Sequence, residues 1–152
     1  MNYPKKVTIG DITVRDGFQH EEKFIPTEAK IWLAEQLILA GFRHMEVTNM
    51  GNPNGMPQFK DADMVLKGLR KSKKVADLLD KTSLTVITIR ERAIERAIEA
   101  RLEGWGPDRI LLMVSTSESH HQTNSGLTLD EYWKMAEKYI PLAHEVGLKV
   151  NG

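Results

Sequence analysis

An arginine and an aspartate stand side by side in the segment TVRDGFQHEE, residues 13–22, directly after a short β-branched run. Asp16 supplies carboxylate oxygen, the kind of ligand that Mg²⁺ and Mn²⁺ prefer. Arg15 supplies a permanent cation with a planar fork of donors, which suits a carboxylate, a carbonyl oxygen or an enolate. The pair therefore predicts a site that stabilises the enolate left when a carbon–carbon bond next to a carbonyl group breaks.

A simpler interpretation of the same residues stays open. Asp-Gly is a common turn dipeptide, and a neighbouring arginine and aspartate are often a solvated surface pair. The choice between the two interpretations depends on whether the fold brings other polar residues to Arg15 and Asp16.

Further polar residues lie at the carboxyl ends of the predicted strands, where the active site of an α/β barrel is found. Glu46, on the second predicted strand, could hold Arg15 in place. Four more residues lie at or just beyond the ends of these strands and are candidates for substrate binding: Gln19, Asn49, Arg90 and Ser115. In the loop after the fourth predicted strand, His120 and His121 are interpreted either as metal ligands or as surface residues, and Met113 just before it is expected in the core.

Strands alternate with amphipathic helices along the whole chain. Strands are predicted at residues 6–14, 42–49, 84–89, 109–115 and from 148 onward, and helices at 26–41, 61–70, 75–79, 90–104 and 128–147. Residues 49–58 and 116–126 are predicted loops. The last helix opens with a capping box at Thr128 and Glu131.

This order predicts an α/β fold with parallel strands, of the (β/α)₈ TIM-barrel type. No Gly-x-Gly-x-x-Gly follows the first strand, so a dinucleotide-binding fold is not favoured. A complete barrel needs about 250 residues. The 152 residues are therefore expected to be the first four βα units and the start of strand five, the N-terminal half of a single catalytic domain at 1–152. With open edges and inner strand faces expected to be apolar, such a piece is expected to self-associate.

The amino-acid composition limits the classes of binding partner that are expected. Lys+Arg and Asp+Glu both count 21, so the net charge of zero gives no basic footprint for nucleic acid or a membrane surface. The chain has no cysteine, which excludes disulfides, cysteine zinc sites and a thiol nucleophile within it. Neither a signal region nor a membrane-spanning run is present, and a cytoplasmic protein that forms a homo-oligomer is expected.

Three segments resemble 3-hydroxy-3-methylglutaryl-CoA lyase and its relatives, a family of TIM-barrel metallolyases. They are RDGFQHEE, LAGFRHMEVTNMGNP with MPQ, and SESHHQTNSGLTLDE with VGLKVNG. The resemblance implies that Asp16 ligates the divalent metal, Mg²⁺ or Mn²⁺, and that Arg15 stabilises the enolate of acetyl-CoA. It also implies that Gln19 lines the pocket, that Glu46 anchors Arg15 and that residues 49–58 border an acyl-CoA or oxo-acid substrate.

The resemblance also shows departures. The lyases usually have Thr-Ser-Phe where this chain has Thr-Asn-Met at 48–50, and Pro-Asn where it has Ile-Arg at 89–90. Their other metal ligands, a His-x-His pair and an asparagine, come from later strands. The acyl group is therefore left open, and two alternatives stay beside the lyase: a Claisen-type synthase or aldolase of the same superfamily, and a non-catalytic half barrel. The chain alone is expected to be inactive.

Overall fold

Four parallel strands form one sheet in the computed structural model, which describes residues 3–152. The strands are β1 (His44–Asn49), β2 (Ser83–Thr88), β3 (Arg109–Leu112) and β4 (Lys149–Asn151). Each strand pairs in parallel with the next in chain order. The predicted α/β class with parallel pairing is confirmed.

Helices connect these strands. They are α1 (Thr27–Leu39), α2 (Ala62–Lys71), α3 (Ala76–Leu79), α4 (Glu91–Leu102), α5 (Glu118–Ser125) and α6 (Leu129–Glu145), with one 3₁₀ turn at Pro57–Phe59. Apart from α5, each helix begins and ends within about two residues of its predicted range. None of the helices in this part of the chain is long and apolar enough to cross a membrane.

Local signals explain where the helices begin and end. In the capping box of α6, Thr128 Oγ1 accepts a hydrogen bond from Glu131 N at 3.2 Å, and Glu131 Oε2 accepts one from Thr128 N at 2.8 Å. The bond from the Thr128 amide holds the pKa of Glu131 below its usual value, because it favours the ionised carboxylate. After α1 the chain turns at Gly41, whose φ of 107° favours glycine.

The helices cover one face of the sheet, and the core lies between them. That face contributes alternate residues of the first three strands, each no more than 1% exposed: Met45, Val47, Leu84, Val86 and Ile110. They belong to a single apolar cluster with the inward residues of the helices. Burial of this cluster is the main driving force that holds helices and sheet together.

The other face of the sheet is mixed, so the prediction that the inner strand faces are apolar is wrong for one row of residues. Glu46, Thr85, Arg109 and Lys149 are successive register partners across the sheet. Because paired residues on neighbouring strands point to the same side, they form one polar row on this face. The next row on the same face includes the apolar pair Ile87 and Leu111, so this face carries both polar and apolar residues.

The predicted first strand at residues 6–14 is also wrong. Only Asp11 pairs with β1, through bonds from Asp11 N to His44 O and from Glu46 N to Asp11 O, both 2.8 Å. The Asp11 carboxylate then accepts hydrogen bonds from Thr13 N at 2.9 Å and Thr13 Oγ1 at 3.0 Å. Such local bonds compete with strand pairing, and here they turn the chain away from the sheet.

Helix α5 replaces the predicted polar loop at 116–126. Ser117 caps its start by accepting a hydrogen bond from His120 N at 3.4 Å, and Gly126 ends it with a φ of 68°. The end of β3 differs as well: the strand stops at Leu112, and Met113 is 46% exposed rather than part of the core. Caps rather than an apolar stripe define α5, which is why periodicity did not reveal it.

Between α5 and α6, the rings of His121 and Tyr132 meet edge to face at 4.6 Å. Tyr132 is fully buried, and among the described residues its hydroxyl has no hydrogen-bond partner. Burial raises the pKa of Tyr132 to about 12, so the hydroxyl stays neutral at physiological pH.

Tyr132→Phe is therefore expected to leave the melting temperature unchanged or to raise it, because it removes an unpaired buried hydroxyl and keeps the ring. Tyr139→Phe is the matched control, since the Tyr139 hydroxyl donates to Glu95 Oε1 at 2.6 Å. Loss of that bond is expected to cost about 1 kcal/mol. Thermal unfolding of both variants checks the contrast, and equal destabilisation by the two changes would contradict it.

Candidate active site

Arg15 and Asp16 lie on one π-helical turn, Thr13–Gly17, that follows directly after the bridge between Asp11 and β1. The turn is closed by a bond from Asp16 N to Ile12 O at 2.7 Å. Val14 is fully buried and fixes the turn against the core. Short π-helical segments are frequent at functional sites, and this one brings Arg15 next to Glu46 in β1.

The guanidinium of Arg15 is held by all three of its nitrogens. Nε and Nη2 both donate to Glu46 Oε2, at 2.9 and 2.5 Å. Nη1 donates to Asp16 Oδ1 at 2.5 Å, and Gln19 Oε1 lies 3.5 Å from the same nitrogen. The Arg15 side chain is only 11% exposed, so these bonds form largely out of water and fix the plane of the cation.

A cavity of about 290 Å³ opens beside this cluster at the carboxyl ends of the strands. Five of the seven site residues named from the sequence line it: Arg15, Asp16, Gln19, Asn49 and Ser115. Apolar residues that end or follow β2 and β3, together with residues of α5, form the rest of the wall. Glu46, the sixth of the predicted site residues, is not on the cavity wall but positions Arg15, which is.

Asn49 uses its amide to shape the loop that follows β1. Its Oδ1 accepts a hydrogen bond from Gly51 N at 2.7 Å, and its Nδ2 lies 3.1 Å from Met56 Sδ. Asn49 itself is 2% exposed. Asn49 and Met56 line both the Arg15 cavity and a second, larger cavity of about 660 Å³, which the loop between them also borders.

Arg90, the seventh predicted site residue, lines the larger cavity and not the one at Arg15. Its Nε donates to Ser125 O at the end of α5, at 2.6 Å. The guanidinium also fills the space beside Gly126, where a Cβ atom would collide with Arg90 Nη2. Arg90 thus ties the start of α4 to the end of α5 in addition to lining the cavity.

His120 lines the cavity, in the segment that follows the fourth predicted strand. Its Nδ1 lies 2.8 Å from Ser115 Oγ, and its Nε2 lies 3.0 Å from Asn124 Nδ2. An amide NH₂ can only donate, so His120 Nε2 accepts the hydrogen bond from Asn124. The ring proton of neutral His120 then lies on Nδ1, which donates to Ser115 Oγ. His120 and Asn124 are four residues apart, a spacing that brings them together once α5 is known to be a helix.

The HMGL-like family model matches residues 6–152, nearly the whole chain. This chain belongs to the HMGL-like family. Similar curated proteins include the hydroxymethylglutaryl-CoA lyase YngG of Bacillus subtilis, 33% identical over 86% of this chain and 40% of that protein. The mitochondrial hydroxymethylglutaryl-CoA lyase of Bos taurus is 29% identical over 99% of this chain and 42% of its own length.

Solved structures agree with the family. The crystal structure of Bacillus subtilis HMG-CoA lyase superimposes with a TM-score of 0.83 at 29% identity, covering 99% of this chain and 46% of that one. The sheet and helices of this HMGL-like chain thus match part of a TIM barrel, as predicted. The chain spans less than half the length of the relatives that it matches.

Asp16 is the carboxylate of the Arg15 cluster that could contribute to a metal site. Arg15, Asp16 and Glu46 carry one net negative charge, which suits a cation, and Asp16 Oδ2 accepts no hydrogen bond from a described residue. Within residues 3–152, however, no group of three His, Cys, Asp or Glu side chains is close enough to hold a metal ion. Asp16 fits as one oxygen ligand of a divalent ion, and the described residues do not make a complete metal site.

Proposed function

We propose that this protein acts as a metal-dependent carbon–carbon lyase of the hydroxymethylglutaryl-CoA lyase type. The substrate would be a 3-hydroxyacyl-CoA thioester, and the products acetyl-CoA and a keto compound. One observation carries the proposal: in an HMGL-like chain, Glu46 holds the guanidinium of Arg15 beside Asp16 at the wall of a cavity.

In this cleavage the bond between C2 and C3 of the acyl group breaks. The 3-hydroxyl loses its proton to a base and becomes the new carbonyl, while the electron pair of the broken bond forms the enolate of acetyl-CoA. Protonation of the enolate carbon then gives acetyl-CoA. The largest need of the reaction is positive charge next to the enolate oxygen.

Arg15 meets that need in a preorganised way. Its charge is permanent, and Glu46 fixes the plane of the guanidinium before substrate arrives, so little reorganisation is required during the reaction. A divalent ion bound at Asp16 would polarise the hydroxyl and carbonyl oxygens of the substrate when present. Gln19 and Ser115 would contact the acyl portion, since both line the same cavity.

The cleavage direction is favoured over the Claisen-type synthase because the named relatives are lyases. Which acyl group is cleaved depends on the wall around Asn49 and Arg90. Arg90 brings a bulky cation to the neighbouring cavity, so an acyl-CoA other than hydroxymethylglutaryl-CoA is a reasonable substrate.

A coupled assay for acetyl-CoA release tests the proposal. A panel of 3-hydroxyacyl-CoA thioesters is offered with Mg²⁺ or Mn²⁺, and turnover of at least one thioester is expected from the complete catalytic domain. The 152-residue chain alone is expected to show no turnover, because Asp16 is the single metal ligand proposed within it. Metal-independent turnover, or condensation activity without cleavage of any thioester, would contradict the proposal.

A further inference from the structure

A cavity of about 540 Å³ opens at the end of the sheet opposite Arg15. The first residue of every strand lies on its wall: His44, Ser83, Arg109 and Lys149. Residues just before the strands and near the ends of α2 and α4 complete the wall. Parallel strands all start at the same edge, so this basal cavity lies at the amino ends, away from the candidate active site.

Positive charge is concentrated around the basal cavity. Six lysine and arginine side chains line it: Arg43, Arg70, Lys81, Arg101, Arg109 and Lys149. The acidic residues on the wall are Asp80 and Asp108, and the Asp108 carboxylate is already shared by Arg70 at 2.8 Å and Arg101 at 3.1 Å. Since the whole chain has zero net charge, this surplus is a local feature.

The arrangement of Arg109 and Lys149 is unfavourable without a counter-charge. The two residues are register partners on β3 and β4, and like charges directly opposite one another in neighbouring strands repel. Within residues 3–152, Lys149 forms no ion pair. Arg109 Nη1 donates to the neutral Asn151 Oδ1 at 2.5 Å, which supplies no charge.

Two buried polar atoms on the same wall also lack a partner. Neither Arg109 Nε nor Ser83 Oγ forms a hydrogen bond with any described residue. Buried polar groups in folded proteins nearly always find a partner, which can be a bound ion or a water molecule. Arg109 therefore lacks a counter-charge, and its Nε lacks an acceptor, at the same place.

We propose that the basal cavity binds a small anion of two or more charges, presented through phosphate or carboxylate oxygens. Arg109 and Lys149 would pair with the anion, and Ser83 Oγ would donate a hydrogen bond to it. The ligand is not the reacting thioester group, because the cavity lies at the opposite end of the strands from Arg15. The proposal is therefore independent of the lyase reaction.

Isothermal titration calorimetry with pyrophosphate and, separately, citrate tests this site at constant ionic strength, which keeps screening equal. Saturable binding of at least one anion is expected, and Lys149→Met is expected to weaken it by about tenfold or more. Lys134→Met is the matched control. The Lys134 side chain on α6 is 76% exposed, its Nζ lies 3.8 Å from Asp130 Oδ2, and it is not on the cavity wall, so wild-type affinity is expected.

Thermal unfolding separates binding from a structural role of Lys149. Without anion, Lys149→Met is expected to melt at or above the wild-type temperature, because the like-charge pair is gone. With pyrophosphate or citrate, only the wild type and Lys134→Met should gain stability. If only pyrophosphate stabilises the protein, the site recognises phosphate groups. If only citrate does, the site recognises carboxylates. Absence of binding for both anions, or equal affinity in the wild type and Lys149→Met, would overturn the proposal.

Discussion

Replacing Arg15 with lysine is expected to lower kcat for thioester cleavage by about 10²-fold or more. Lysine keeps the charge but loses the planar group whose Nε and Nη2 bond to Glu46 while Nη1 reaches Asp16. A single ammonium cannot serve both carboxylates in the same geometry, so positive charge is no longer fixed where the enolate forms. Steady-state kinetics of the active protein measures the loss.

Chemical rescue provides the control for Arg15. Arg15→Ala is expected to regain part of its activity when guanidinium is added and none when methylammonium is added at the same concentration, because the site needs a planar fork of donors. Thermal unfolding verifies that both variants remain folded. Near-native rates of Arg15→Lys, or equal rescue by the two cations, would show that Arg15 is a point charge or a structural residue.

Asp16→Asn is expected to reduce the rate of metal-dependent turnover to background and to weaken Mn²⁺ binding by about tenfold or more. The amide keeps the size of the side chain and an oxygen for Arg15 Nη1, but it removes the negative charge that would hold the cation. Because the Asp16 side chain is 46% exposed, the fold should not change. Electron paramagnetic resonance of free Mn²⁺ reports affinity without relying on activity.

Asp130→Asn is the matched control for Asp16, since the Asp130 side chain is 91% exposed and lies outside the Arg15 cavity. Wild-type affinity and turnover are expected from it. Unchanged Mn²⁺ affinity and unchanged activity in Asp16→Asn would remove Asp16 from the metal site.

Strong local signals made most of the fold predictable. The run LTVITI predicted β2, and the apolar stripe that includes Ile94 and Ala97 predicted α4. Glu46 was named as the partner of Arg15 because parallel strands present their carboxyl ends together, and the structure forms that pair.

Tertiary context decided the parts that the sequence did not reveal. Val7 and Ile9 are β-branched, yet both are 69% exposed, since β propensity acts only where a partner strand is available. Helix α5 buries only His121 and Ser125 and so lacks an apolar stripe. The contacts of His120 could not be inferred while residues 116–126 were interpreted as a loop.

The contact between Arg90 and Gly126 means that positions 90 and 126 are not independent under mutation. Any side chain at 126 meets the Arg90 guanidinium, and the φ of 68° adds strain for most residues. A shorter residue at 90 removes the collision and leaves only the backbone preference. With Arg90 present, a side chain at 126 also has to displace the guanidinium from its bond to Ser125 O. Laboratory evolution of the larger cavity should therefore vary these two positions as a pair.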